Sequence, residues 1–529
     1  MNRRDFNRQL IAGVGAAMLS PMLAAGADEA SNRRRPNIVL ILSDQHAFKY
    51  CGFMGHPVVR TPNMDRVAQH GVVFNNTYCG NPVCAPSRAG MISGVYPSDC
   101  NSFCNSTAWD GSLPAWPALL RDAGYQTFGT GKMDAHDKFD LGFDEKPNLA
   151  NGHWKNPDIT AFFRRPLCFR PGERRQIDGK SRNERHKDGQ LAEATAKFIR
   201  SHAKTGRPWA AYCGPHMPHP SFVGLKAYYD YYLQHADLPE VSIEELEQQH
   251  DVYKQLRNFK DVATTIPTER IRRARAAYYA MIQEVDDYVG RIWDALEETG
   301  QLENTLFVYT SDHGESLGEH GLWLKNNLYD VAARVPLVMA GPGLPRGKVV
   351  DTPVAHVDLI RTFLEIGGAK THDKLRGHSL LPLANGAMGD HPGWAYSESH
   401  SEGNTTGSFM VRKGDWKYIH FSWYPTGLLY NVADDPGERR NRFDDPAAAG
   451  KLKELQDLLH AQVDTVELTE RAFRLQRKRM DEMAAKLDQN GMLDECRNRL
   501  GEGQAVTLLT GYYGKPFPFE HKPEKDNAD

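Results

Sequence analysis

Residues 37–45 read Asn-Ile-Val-Leu-Ile-Leu-Ser-Asp-Gln, and residues 305–314 read Thr-Leu-Phe-Val-Tyr-Thr-Ser-Asp-His-Gly. The run 37–43 is apolar, rich in branched residues and too short to span a membrane. It reads as a central strand buried on both faces. The run 305–310 reads the same way, and both end in Ser-Asp. Helical patterns at Met64–His70, Ala115–Ala123, Leu191–Ala203, Glu269–Glu298 and His356–Ile366 alternate with extended runs at Val72–Phe74, Tyr125–Gly129, Trp209–Cys213 and Val335–Met339. That alternation predicts an α/β fold, a large mostly parallel sheet sandwiched by helices. In such sheets the chemistry collects where strands end and loops begin. Residues 135–190 and 221–268 are long and polar, and are expected to be irregular insertions over that edge.

The chain has 529 residues, 40% hydrophobic and 25% charged, which suits a globular core and excludes wholesale disorder. The 64 Lys+Arg and 67 Asp+Glu leave a net charge of −3, without the basic excess of a nucleic-acid binder. Eight cysteines (51, 79, 84, 100, 104, 168, 213 and 496) are too few for a disulfide scaffold. Residues 1–27 combine Arg3, Arg4 and Arg8 with an apolar stretch from Leu10 to Leu23 and a small-residue Ala25-Gly26-Ala27 end, the layout of a secretory signal. Arg3-Arg4 followed by Phe6 points to the twin-arginine export machinery, hence to a bacterial protein that is periplasmic or secreted. No later stretch is long and apolar enough for stable membrane insertion of the mature chain. Near residue 390 the composition shifts. Residues 409–432 are aromatic and β-rich with turns at 413–415 and 425–427, and 447–489 are amphipathic and helical. We expect a catalytic domain at 35–390 and a smaller C-terminal α+β domain at 391–529, with an antiparallel sheet and a helical tail.

The strand tips carry the first candidate site. Asp44, Gln45, Asp312 and His313 would meet across the sheet edge as a mostly oxygen ligand set for a hard cation. Taken singly, either aspartate could equally cap a turn. The second feature is Cys84-Ala85-Pro86-Ser87-Arg88. Its Pro-Ser-Arg run could open a helix, placing Cys84 near a positive helix end and Arg88, a planar cation matched to tetrahedral oxyanions, one turn on.

Cys-x-Pro-Ser-Arg, with Gly94 and Pro97 downstream, resembles the signature of the type I, formylglycine-dependent sulfatases of the alkaline phosphatase superfamily. An ordered series supports the resemblance: Arg35-Pro36-Asn37-Ile38, Thr61-Pro62-Asn63-Met64-Asp65, Gly131-Lys132, Pro215-His216-Met217-Pro218-His219, Asp312-His313-Gly314-Glu315, Gly321-Leu322-Trp323-Leu324-Lys325 and Arg334-Val335-Pro336. In the second unit Val411–Tyr418 and Asp435-Pro436 continue it, so the resemblance covers about residues 35–445.

The resemblance implies that Cys84 is oxidised by a formylglycine-generating maturation enzyme. The hydrated aldehyde would offer one hydroxyl to attack sulfur and a second whose deprotonation expels sulfate. It implies Ca²⁺ held by Asp44, Asp312, His313 and the modified Cys84. Gln45 stands where many relatives carry Asp, keeping an oxygen ligand but losing a charge. Lys132, Lys325 and Arg88 would surround the sulfate with positive charge. His216, or else His219, would touch the sulfate and protonate the leaving oxygen. Most relatives have His two residues after the motif lysine. Here that position is Asp134, so either Asp134 or the nearby His136 would assist sulfate release.

The resulting expectation is an exported sulfatase acting on a sulfate ester, a sugar being favoured by the export signal and the polar insertions. A phosphonate monoester or phosphodiester hydrolase of the same superfamily is the alternative. A carbohydrate-binding relative with a dead site is disfavoured by the intact Cys84, Arg88, Lys132, Asp312 and Lys325. Cys100 and Cys104 could pair after export, but free buried thiols are expected.

Overall fold

Side-chain alternation along the first strand sets the layers of the molecule. In the computed structural model, which describes residues 35–150 and 173–484, Asn37–Ser43 is a strand buried along its whole length. Val39 and Ile41 face one apolar layer, and Ile38, Leu40 and Leu42 face the other, as the two-residue period of a strand requires. Against the first layer pack the helices Pro62–His70, Gly189–His202 and Thr268–Glu298, through Val67, Ile199 and Val285 among others. Against the second pack Cys84–Ser93, Trp116–Asp122 and His356–Gly367, through Met91, Leu120 and Phe363.

The sheet has eight strands in the order Lys348–Val350, Val72–Phe74, Leu337–Ala340, Thr305–Ser311, Asn37–Ser43, Trp209–Gly214, Gln126–Lys132 and Leu149–Ala150. Neighbours are parallel except at Leu337–Ala340, which runs antiparallel to both of its partners. The expected α/β architecture is therefore present. The register pairs Ser43 with Ser311, so Asp44 and Asp312 leave adjacent strands at the same level.

Two expectations need correction. The single strand expected at Val335–Met339 is split. Arg334–Val335 pairs with Thr77–Tyr78 in a separate sheet, and Leu337–Ala340 joins the main one. Pro336 stands at the break, where it can donate no ladder hydrogen bond. Residues 221–268 are not irregular: they hold the helices Lys226–His235, Ile243–Gln248 and Asp251–Phe259. Their buried faces are narrow, with Tyr229 and Tyr232 in one and Val252, Tyr253, Leu256 and Phe259 in another, so polar residues dominate the local composition.

The C-terminal region holds a four-stranded antiparallel sheet, Trp394–Ser399, Ser408–Lys413, Trp416–Phe421 and Leu428–Asn431. One face packs Val411, Tyr418 and Leu429 on Leu455, Leu459 and Leu468 of the helices Ala449–Gln462 and Thr465–Ala484. The other packs Met410, Ile419 and Tyr430 on Leu322, Leu328 and Val331. Its apolar core is thereby continuous with the loop that follows the central strand Thr305–Ser311. The expected leader at 1–27, the last part of the expected tail at 485–489, and Cys168 and Cys496 lie outside the described residues. The other six cysteines are buried, Cys100 and Cys104 included. Among the described residues no helix is long and apolar enough to cross a membrane.

Candidate active site

Three backbone features bring the site together at one end of the sheet. The paired strands deliver Asp44 and Asp312. The helix Cys84–Ser93 begins on Cys84 itself, and Gly94, with φ 67°, ends it in a left-handed turn. The strand Gln126–Lys132 ends on Lys132. There Gly131 (φ +85°) lies so close to the next strand that a Cβ would sit 2.2 Å from the Gly214 carbonyl oxygen, so only glycine permits this approach.

Ligand atoms of Asp44, Cys84, Asp312 and His313 all lie within 4.8 Å of one another, and all four residues are buried. Cys84 Sγ is 3.2 Å from His313 Nε2 and 3.6 Å from Asp44 Oδ1. Asp312 Oδ1 accepts the amides of Gln45 (3.0 Å) and His313 (2.9 Å). His313 Nδ1 is 2.9 Å from the Gly314 carbonyl oxygen, so it donates there. Nε2 then turns its lone pair toward the cluster, as in a metal-ligating histidine.

Gln45 gives the test of whether a cation fits. Its Nε2 donates to Glu315, whose other oxygen accepts the amides of Leu317 (2.8 Å) and Leu324 (2.7 Å). Gln45 Oε1 is buried and has no hydrogen-bond partner among the described residues. A buried orphan acceptor beside two carboxylates and an imidazole is the donor set of a hard cation. The residues present therefore fit a divalent ion.

Positive charge surrounds the cluster. Lys132 Nζ bonds Asp44 Oδ2 and lies 3.2 Å from Asp134 Oδ2, and Lys325 Nζ lies 2.7 Å from Cys84 Sγ. Burial and Cys84 both act to raise the Asp44 pKa, yet Lys132, His219 and Lys325 together hold its carboxyl well below the usual range. Burial alone would lower the Lys132 pKa, but Asp134 and Asp44 raise it well above the ordinary lysine value. Three carboxylates (Asp44, Asp134, Asp312) thus face three fixed cations (Arg88, Lys132, Lys325). A divalent ion added here would leave an excess of positive charge for an anionic substrate.

Arg88 is placed differently from the sequence expectation. It is fully buried. Its Nε donates to Asp312 Oδ2 at 2.8 Å, and Nη1 donates to the Lys132 carbonyl at 2.6 Å and to the Tyr212 hydroxyl at 2.8 Å. Arg88 braces Asp312 and Lys132 from behind, and only Nη2 has no partner among the described residues. His216 and His219 stand at the mouth, with ring centroids 4.7 Å apart. His216 Nδ1 is 3.7 Å from Asp44 Oδ2, and its side chain is 46% exposed. Partial burial, then His219 and Lys132, lower the His216 pKa, so its ring is neutral near pH 7. His219 Nδ1 bonds the Pro220 carbonyl oxygen at 2.6 Å.

His136 is not brought to the cluster. Its Nδ1 accepts the Lys138 amide at 3.2 Å, and its ring packs edge-on against Phe139. Asp134, two residues nearer to Lys132 in the chain, faces Lys132 and lines a cavity of about 460 Å³ together with Lys132, Lys187, Gln190, His216 and His219. Glu315 and Tyr212 were not singled out from sequence. Glu315 falls within the quoted Asp-His-Gly-Glu run, which was the available signal. Tyr212 lies inside a strand and gave none.

Comparison with known proteins agrees with this geometry. Residues 36–369 match the family model described as Sulfatase, and 318–466 match N-sulphoglucosamine sulphohydrolase, C-terminal. The chain is 32% identical over 432 residues to arylsulfatase K of Danio rerio, covering 77% of this chain and 80% of that protein. It is 30% identical over 441 residues to choline-sulfatase of Rhizobium meliloti (strain 1021), covering 78% and 83%. The phosphonate monoester hydrolase of Agrobacterium radiobacter superimposes with a TM-score of 0.67 at 24% identity, over 83% of this chain and 96% of that one. At that identity the likeness concerns the fold.

Proposed function

The chain belongs to the sulfatase family and is a sulfuric ester hydrolase, and from that premise we propose that it cleaves a sulfate monoester of a carbohydrate at Cys84, after conversion of that residue to formylglycine and with calcium bound. The observation that carries the reading is the closed set Asp44, Cys84, Asp312 and His313 with Lys325 Nζ on Sγ. The carbohydrate part rests on the matched C-terminal model of a sulphoglucosamine hydrolase. Arg3-Arg4 with Phe6 supports export through the twin-arginine route to the periplasm or beyond.

Asp44, Asp312, His313, Gln45 and the modified Cys84 would hold the cation, which supplies neutralisation of sulfate oxygens and favours ionisation of the nucleophile. The hydrated aldehyde supplies the attacking hydroxyl and the means of releasing sulfate, which a thiol lacks. The chain's own residues do the rest. Lys132, bonded to Asp44, and Lys325, on Cys84, would stabilise charge that builds on the transferred group. Arg88 orients Asp312 and opposes, without cancelling, the rise that burial imposes on its pKa. His216, at the cavity mouth beside Asp44, is neutral in the free enzyme; the negative charge of a bound sulfate ester would favour its protonated form, and from there it would hand a proton to the departing alkoxide. The nearby cavity takes the alcohol. Of the two candidates, Asp134 would accept a proton during sulfate release, a reading supported by its pair with Lys132 at 3.2 Å.

Mass spectrometry of the peptide containing Cys84 from natively produced protein tests the nucleophile; an unmodified thiol in active enzyme overturns it. Sulfate release is then measured across sulfated saccharides, choline sulfate and an aryl sulfate, with a phosphonate monoester as the control. Turnover of the phosphonate at a kcat/KM above every sulfate ester would reverse the substrate assignment.

A further inference from the structure

Lys325 stands on a loop that its own sequence does not favour. Its neighbours Leu324 (φ 64°) and Asn326 (φ 80°) both occupy the left-handed region, which residues with side chains visit rarely and hold only when the surroundings over-determine them. The surroundings do so here. On the Leu324 side, its amide bonds Glu315 at 2.7 Å and its carbonyl accepts the Ser316 amide at 2.8 Å. On the Asn326 side, its amide bonds the Pro82 carbonyl at 3.1 Å. Lys260, 1% exposed at the end of Asp251–Phe259, donates Nζ to the Lys325 carbonyl at 2.9 Å and to Asn326 Oδ1 at 2.6 Å. From the loop between the first two C-terminal strands, Asn404 Nδ2 donates to the Asn326 carbonyl and to Ser399 Oγ, both at 2.8 Å. Glu402 of that loop accepts from Asn326 Nδ2 at 3.2 Å.

We propose that Lys260 and Asn404 are positioning residues, which clamp the Asn326 turn so that the Lys325 ammonium is held at Cys84 Sγ, the position that a hydroxyl of the hydrated formylglycine would take. Two distant pieces of chain, an inserted helix and the C-terminal sheet, thereby complete the active centre. The inference rests on the reading of Lys325 as a contact of the transferred group. Burying a lysine is costly unless its charge is met. Lys260 meets a peptide carbonyl and an amide oxygen that belong to a residue of the reactive cluster and its neighbour. Its role runs through Lys325, the residue of that turn whose side chain reaches Cys84.

The test is a double-mutant cycle on the full-length enzyme with an aryl sulfate, read as kcat, KM and Tm. Lys260→Met and Asn404→Ala are each expected to lower kcat on the order of 10- to 100-fold, with KM changed far less, as losses of supporting contacts do. Lys260→Arg, which retains donors, is expected to recover part of that loss. In a Lys325→Ala background both substitutions are expected to cost less than about 2-fold, because the group they position is gone. Losses of equal size in both backgrounds overturn the proposal, as does full activity of both folded single variants. Should one single variant not fold, the other closes the cycle. If Lys325→Ala itself retains wild-type turnover, the reading of Lys325 fails, and the positioning role falls with it. If Lys325→Ala is impaired and the losses merely add, the positioning role alone fails.

Discussion

Two of the buried charge clusters among the described residues are built in opposite ways. Where the C-terminal sheet meets the main domain, Lys417 Nζ sits 2.6 Å from Asp330 and 2.7 Å from Glu438. Tyr78 (3.0 Å) and Arg334 (3.3 Å) complete the coordination of Asp330. Burial opposes ionisation of Asp330, but Lys417 and Arg334 hold its carboxyl well below the usual range. Each charged group there has an opposite charge against it, Glu438 Oε1 through its ion pair with Lys417 although it accepts no hydrogen bond among the described residues. At the active centre valences are left over: Gln45 Oε1 and Arg88 Nη2 have no partner among the described residues, and Lys325 is spent on a sulfur atom. A saturated cluster is a fastening, and an unsaturated one awaits ligands. Burial and charge alone do not separate the two: the fastening cluster sets every charged group against an opposite charge, while the active centre keeps a neutral acceptor, Gln45 Oε1, with no partner among the described residues.

The sharpest break of that contrast is at Cys84. Cys84→Ala is expected to reduce kcat by about 10⁴-fold or more, as deletion of a nucleophile does. Its Tm, measured beside wild type, is expected to stay within about 2 °C, because the residue's bonds are to groups that also hold one another. A residual rate within tenfold of wild type would remove Cys84 from the chemistry.

The lysines give the next comparison. Lys417→Met leaves Asp330 and Glu438 buried without their shared cation, so we expect a destabilisation of about 3–5 kcal/mol in denaturant melts with kcat of the folded enzyme unchanged. Lys325→Met should do the reverse, lowering kcat/KM by about 10²- to 10³-fold while leaving the melt unshifted. If both variants lose stability alike, the distinction between fastening and working cluster is wrong.

Calcium sharpens the same point. After chelation the enzyme should lose activity and melt earlier. Calcium at about 100 times its Kd should restore about 2.7 kcal/mol. Gln45→Ala should weaken that response, whereas Lys417→Met should leave it intact. A calcium-independent melt in wild type would argue against the ion's place in the native state.

How far this could be read in the sequence follows the range of the interactions. The central strands were legible because a doubly buried strand is a local apolar run, and their Ser-Asp endings announced the two carboxylates. Cys84 and Arg88 were legible because a helix start and its next turn are adjacent in sequence. The Arg88 role was not, because its partners Asp312, the Lys132 carbonyl and Tyr212 come from the ends or interior of three strands distant in sequence from its helix. The strand break at Pro336 was legible in principle, since the residue carries its own reason. The helices inside 221–268 were hidden because their apolar stripes are single. Lys260 and Asn404 were invisible: each bonds backbone or amide groups more than 60 residues away in the chain, and no local pattern marks such a residue.

The smallest expected effect concerns protons, and again it falls on the C-terminal side. His420 stands between its sheet and the following helices, with Nδ1 3.1 Å from the Tyr418 hydroxyl and Nε2 3.2 Å from Thr465 Oγ1. Burial first, and then His460, lower its pKa from 6.5 to about 4. The unfolded chain therefore binds a proton below about pH 6.5 that the folded state refuses until about pH 4. The stability involved is fully present above the unfolded pKa and is lost as pH falls through that window. The loss should amount to about 1–2 kcal/mol, below the full linkage value because the ring keeps some contact with water. His420→Asn should flatten the fall in Tm between pH 6.5 and 4 without changing kcat at pH 7. The active centre should not contribute to that slope through Asp44, whose carboxyl is held ionised throughout the window. An unchanged slope in His420→Asn would mean that the acid sensitivity belongs elsewhere, and that the C-terminal sheet is fastened by its charge cluster alone.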